Sequence, residues 1–167
     1  SLLCLLELLV EASVNHLENQ YIQGCDTLML FESWAGLVSK NCQLDILFSP
    51  AKEIRKRLLE RGVNATFIAF PRGIGYGVLD YDNFVKPDVL SLDQNIDLEW
   101  AVDKFDKQKV LQGNIDPEKL LAGGDILEKQ VNKIFSLVRD RKHIYNVGHG
   151  ILPKTPTKNV HRVVEMI

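Results

Sequence analysis

Five times along the chain an apolar run of strand length is followed by a segment that reads as a helix. That alternation limits the fold more than any other feature. The runs are TLMLFES (27–33), NATFIAF (64–70), PDVLSLD (87–93), KVLQGNID (109–116) and HIYNVGHG (143–150). Strands that are apolar throughout, rather than alternating, fit a parallel sheet covered on both faces by helices. The helical segments carry their own signals. Leu3, Leu6, Val10, Val14, Leu17 and Tyr21 step along one face of an opening helix that should end at Gly24. Ser49 and Pro50 read as an N-cap and first helical residue, with the helix closing at Arg61 and Gly62. A glycine-rich PRGIGYG precedes a short helix through Val78, Leu79 and Phe84. Asp97 and Asp116-Pro117 are further helix starts, and Asp125 with Glu128 forms a capping-box pattern. Leu127, Val131, Ile134 and Val138 line the next helix, and Val160, Val163, Val164 and Ile167 suggest a closing one.

No low-complexity stretch or linker interrupts the pattern, so residues 1–167 read as one domain. Five strands fit either an open doubly wound sheet or part of a (β/α)8 barrel. Polar and glycine residues gather at the strand C-termini (FES, FPRG, LD, QGN, GHG), where barrel enzymes keep their chemistry. The expectation is therefore α/β, with five β/α units of a barrel. A whole barrel takes about 250 residues, so this chain would be about half to two-thirds of one. The chain opens on serine directly in a helix, as a piece of a longer protein would.

The composition excludes several classes. With 46% hydrophobic and 25% charged residues the chain is neither disordered nor fibrous. A formal net charge of −2 and the lack of a basic tract argue against nucleic acid as a partner. SLLCLLELLV has no basic lead, contains Glu7 and is too short to span a bilayer, so no membrane association is expected. Cys4, Cys25 and Cys42 form no C-x-x-C pair, leave one thiol over in any disulfide scheme, and suggest a reducing cytoplasmic setting without zinc.

Four residues stand out as site candidates. His149 lies between two glycines, which keep bulk away from the backbone and permit positive φ. That suits a sharp turn, or a ligand lying against the chain. Ser33 ends the first strand, where its hydroxyl could meet a carboxylate or cap a loop. Phe31 points to the same face two residues earlier, toward a ligand or the core. Arg72 is the cation at a strand end, suited to an anion or to a surface ion pair. Asp116 reads as a helix cap, Gln112 and Asn114 as polar rim, and His16, His143 and His161 as structural or exposed.

Four of these segments resemble the uroporphyrinogen decarboxylase family. LFESWAGLVS is similar to its F-[DE]-S-x-A-G strand end, and FIAFPRG to its apolar strand ending in a basic residue. VLQGNIDP matches L-Q-G-N-x-D-P, and NVGHGILPKTPTKNV matches N-x-G-H-G-x-x-P-x-x-P-x-x-x-V. LSLDQNI resembles the G-x-D-W segment, but Ser91 and Gln94 replace its usual glycine and tryptophan. The resemblance implies a (β/α)8 barrel that removes the four acetate carboxylates of uroporphyrinogen III, giving coproporphyrinogen III, with no cofactor. It also implies a homodimer and a role in haem supply. Ser33 matches the family's substrate-facing serine, and His149 its substrate-contacting histidine, expected to bind substrate and handle protons.

The family's R-Q-A-G-R-Y arginines, its pyrrole-binding aspartate and its G-x-P-x-T-x-x-x-Y tyrosine are absent here. By order the chain would start just after that tyrosine segment, so the resemblance implies five barrel strands with the first three missing. These 167 residues alone are therefore expected to be inactive. They would be a split-gene subunit needing a separate N-terminal piece, a non-catalytic remnant, or an excerpt. A cobalamin-linked methyltransferase shares the barrel, but needs zinc-binding cysteines near the C-terminal strand ends, and no cysteine lies beyond Cys42.

Overall fold

Strand and helix alternate from end to end in a computed structural model that describes residues 2–167. The strands are β1 (Thr27–Glu32), β2 (Thr66–Pro71), β3 (Val89–Ser91), β4 (Val110–Gln112) and β5 (His143–Ile144). The helices are α1 (Leu2–Ile22), α2 (Ser49–Glu60), α3 (Val78–Val85), α4 (Leu98–Lys104), α5 (Pro117–Ala122), α6 (Gly124–Val138) and α7 (Thr157–Met166). The strands form one sheet in the order β1-β2-β3-β4-β5. The β1–β2, β2–β3 and β4–β5 pairings are parallel. A doubly wound sheet reverses its strand order at a switch point. Strict chain order has no such reversal, and is the order of five consecutive units of a (β/α)8 barrel.

The chain divides into two compact units, one reaching Leu90 and one running from Ser91 to Ile167. In the first, β1 and β2 pair along all six residues, from Thr27 opposite Thr66 to Glu32 opposite Pro71. Phe67 through Phe70 are all buried, as an inner strand requires. Helix α1 buries Val10, Val14 and Leu17, while Leu3 of the expected stripe is 73% exposed. Arg57 meets Glu7 and Glu11 at 2.7 and 3.2 Å, and Arg61 meets Glu11 and Glu18 at 2.7 Å, tying α1 to α2. The expected cap at Ser49 is not one. A π-turn at Leu44–Phe48 already holds helical backbone, so α2 continues from it without a capping side chain.

In the second unit, both aspartate caps form. Asp97 accepts from the Glu99 N–H at 3.0 Å, and Asp116 from the Glu118 N–H at 2.9 Å. Leu127, Val131, Ile134 and Val138 are buried on α6 as the periodicity requires. The capping box is overturned: α6 starts at Gly124 with no side-chain cap, and Glu128 instead accepts from Arg162 at 2.8 Å. Of the expected α7 stripe, Val163 is buried, whereas Val164 is 70% exposed.

Candidate substrate-binding site

The first unit presents Ser33 directly after β1. Phe31 shares the face of Met29 by strand alternation, is 63% exposed, and sets its ring edge-on to Phe70 at 6.2 Å. Ser33 is half-buried, and its carbonyl accepts from the Arg72 guanidinium at 3.3 Å. The Arg72 N–H is shared between Phe70 and Glu32 carbonyls at 3.1 and 3.3 Å, and its own carbonyl accepts from Gly36 at 2.9 Å. Arg72 therefore buckles the two strand ends together, and makes no ion pair among the described residues. Glycine is required at the next crossing. A Cβ on Gly36 would lie 2.7 Å from the Gly73 carbonyl oxygen.

Behind Ser33, Glu32 turns to the other face of β1. Burial pushes its carboxyl up to about 7, with the Tyr81 hydroxyl nearby opposing the shift. Burial and the Glu32 charge push the Tyr81 hydroxyl up in turn. The approach falls short of a hydrogen bond, since Glu32 Oε2 and Tyr81 Oη are both buried without a partner. Nothing in the alternation of β1 announced this pair, because Tyr81 lies on a helix 49 positions further along.

In the second unit the LQGN segment is a set of braces rather than an open rim. Gln112 donates to the Ser91 hydroxyl at 3.1 Å. Asn114 donates to the Asp93 and Ile96 carbonyls at 2.9 and 2.7 Å. The Asp93 carboxylate accepts from the Asn95 N–H at 2.8 Å. All four of Ser91, Asp93, Gln112 and Asn114 are buried. Asp116, as expected, is occupied as a cap.

His149 follows β5 on an exposed loop. The chain before it is stitched to β4 and the residues after it: Gly113 donates to Ile144 at 2.9 Å, Ile115 to Asn146 at 3.0 Å, and Gly148 to Ile115 at 2.7 Å. The ring lines a cleft of about 330 Å³ together with Gln94, Asn95, Asp116 and Glu118. Only one of the flanking glycines is needed, and for a different reason than expected. Neither takes positive φ. A Cβ at Gly148 would come within 2.2 Å of the Gln94 nitrogen, so bare backbone is what lets the His149 loop press against LDQN. Gly150 has open space.

His143 belongs to the scaffold. Its Nε2 bonds the Gly113 carbonyl, its ring meets Tyr145 edge-on at 5.1 Å, and Nδ1 is buried without a partner. Burial holds its basicity below the usual imidazole range, against the Gly113 hydrogen bond. Among the described residues no group of three His, Cys, Asp or Glu side chains could hold a metal ion. No helix there is long and apolar enough to cross a membrane.

A parallel sheet in chain order, with a serine after one strand and a histidine after another, defines a barrel-type α/β protein with its polar groups at the strand C-termini. Residues 2–167 match the family described as Uroporphyrinogen decarboxylase (URO-D). The chain is 37% identical over 166 residues to a uroporphyrinogen decarboxylase of Rickettsia conorii, covering 98% of this chain and 47% of that protein. It is 34% identical over 164 residues to that of Cereibacter sphaeroides and 32% over 163 to that of a Jannaschia species, covering 98% of this chain and 48% of each. The chain belongs to the uroporphyrinogen decarboxylase family. It spans about half the length of the curated relatives it matches.

Proposed function

We propose that these residues supply one part of a uroporphyrinogen III decarboxylase site, completed by β/α units outside these 167 residues. The single observation carrying this reading is the match to the family along 2–167, and Ser33 and His149 are assigned from the FES and NVGHG motifs. The Ser33 hydroxyl donates to a substrate carboxylate, and Phe31 offers an exposed ring to the flat macrocycle. His149 binds a side-chain carboxylate and handles protons. Arg72 acts on the same carboxylates through its charge, while its geometry fixes the Ser33 backbone. No cofactor is required. A proton added at a pyrrole carbon makes the ring an electron sink; the C–CO2 bond breaks, and its electron pair flows into the ring. The methylene then takes a proton as the ring proton is returned, so each carbon dioxide released consumes one proton.

The incomplete-site reading is supported by β1 and β5 being the edge strands of the sheet, which in a closed barrel would be paired. Homodimer formation and a cytoplasmic setting belong to the same proposal. The test is coproporphyrinogen formation under reducing, anaerobic conditions. The 167-residue chain alone should give none, and addition of a polypeptide carrying the family's N-terminal arginine and aspartate segments should restore it. In the restored enzyme, His149→Ala should lower kcat about 10²-fold or more, and Ser33→Ala should act mainly on KM. Turnover by the isolated chain overturns the incomplete-site reading. A restored enzyme indifferent to both substitutions overturns the residue assignments, and failure of any added piece to restore activity leaves the non-catalytic reading.

A further inference from the structure

The second unit holds another cleft, of about 340 Å³, lined from α4, α5 and α6 and sharing Gln94 with the His149 cleft. Its floor is apolar and buried, with Ile96, Leu98 and Ile134 each less than a tenth exposed. Its mouth is cationic: Lys119, Lys129 and Lys133 line it against the single carboxylate of Asp97. That carboxylate is already engaged as the α4 cap, accepting from the Glu99 N–H at 3.0 Å. Lys133 reaches Glu99 only at 3.8 Å. Lys119 and Lys129 make no ion pair among the described residues. Lys129 and Lys133 lie one helical turn apart, where like charges repel unless an anion is shared between them.

The cleft also carries an acceptor without a donor. Gln94 forms part of its wall, and its Oε1 is buried with no hydrogen-bond partner. The neighbouring amide is already satisfied, since Gln130 Oε1 accepts from the Asp116 N–H at 3.1 Å. An apolar floor, surplus positive charge at the mouth and one unmet acceptor are complementary to a specific chemistry. The volume lies at the lower end of small-molecule sites, about 300–1,000 Å³.

We propose that this cleft binds a small organic anion, a carboxylate or phosphate carried on a compact apolar body. The lysines take the anionic group and the apolar floor takes the body. An O–H or N–H donor on the ligand, or on a water it holds, meets Gln94. The site uses none of Ser33, Phe31, Arg72 or His149, and Gln94 is the wall it shares with the His149 cleft.

The test is a titration of the whole 167-residue chain, followed by amide chemical shifts, with phenyl phosphate, benzoate and inorganic phosphate as probes. At least one aromatic anion should saturate, with shifts centred on Gln94, Lys119, Lys129 and Lys133, and inorganic phosphate should bind at least ten-fold more weakly. Lys129→Glu should weaken the aromatic anion at least ten-fold. Lys129→Ala serves the same purpose if the charge reversal disturbs the α6 resonances. Phenyl phosphate or benzoate binding alone would distinguish the phosphate from the carboxylate form of the site. The proposal is overturned by shifts that do not saturate, by shifts spread equally over remote lysines such as Lys40 and Lys86, or by an affinity indifferent to both Lys129 variants.

Discussion

The two units hold their strand ends by different means. In the first, a six-residue ladder between β1 and β2 does most of the work, and Arg72 and the Gly36–Gly73 crossing finish it. In the second, β4 and β5 pair over only two residues, and side chains take over from the ladder. Asn114 holds two carbonyls, and Arg141 donates to the Val102, Asp106 and Lys109 carbonyls at 3.3, 3.0 and 2.9 Å. A long ladder is insensitive to any one side chain. A unit held by a few donors should fail when one of them is removed.

The largest expected effect is therefore in the second unit. Asn114→Leu leaves the buried Ile96 carbonyl without that donor, at about 1–3 kcal/mol, while the Asp93 carbonyl keeps only its bond from the Ile96 N–H at 3.2 Å. Urea unfolding followed by residue-resolved hydrogen exchange should show the Ser91–Ile167 region opening first. Equal loss in both units would break the contrast.

The units should also answer pH with opposite signs, because each buries a titratable group in its neutral form. Glu32 is raised from 4.5 to about 7, so the folded state keeps a proton that the unfolded chain releases. Its contribution is complete below pH 4.5 and is lost as pH rises through about 7. A rise of that size corresponds to ~3 kcal/mol. Glu32→Gln should flatten this fall, as read from urea midpoints between pH 5 and 8.

His143 works the other way. Its affinity for a proton is lowered by burial, so the unfolded chain binds the proton more readily. Stability from this group is present above the unfolded value of 6.5 and declines as pH falls below it. His143→Leu should remove that acid-side decline from the exchange rates of the second unit while leaving the first unchanged. A decline that persists in the variant would reject His143 as its source. The smallest effect belongs to the α1–α2 ion network. Arg57→Ala should shift the midpoint of the first unit slightly in dilute buffer, and by nothing measurable in 1 M salt, where screening reaches about 3 Å.

The signals that were legible in the sequence are those whose cause is local. Asp97 and Asp116 cap because the acceptor and its N–H lie two residues apart. The α6 stripe is buried because periodicity alone sets which face turns inward. Ser49 failed as a cap because the π-turn before it had already fixed the backbone. Glu128 failed as half of a capping box because Arg162, 34 residues on, competes for it. The site divides in the same way. Ser33 and His149 are candidates read from motif and strand position. That Glu32 is buried against Tyr81, that Asn114 braces two carbonyls, and that Gly148 abuts Gln94 depend on partners brought together by folding.

The Arg141 guanidinium has an analytical use. Trypsin must draw an arginine side chain into its specificity pocket before cutting, and this one is committed to three carbonyl oxygens on the segment that leads from α4 into β4. Its neighbours Arg139 and Lys142 are exposed. In a brief digest resolved by mass spectrometry, scission after 139 or 142 should come early, and scission after 141 only once that clasp releases. The order of those three fragments would serve as a built-in clock for the opening of the C-terminal unit.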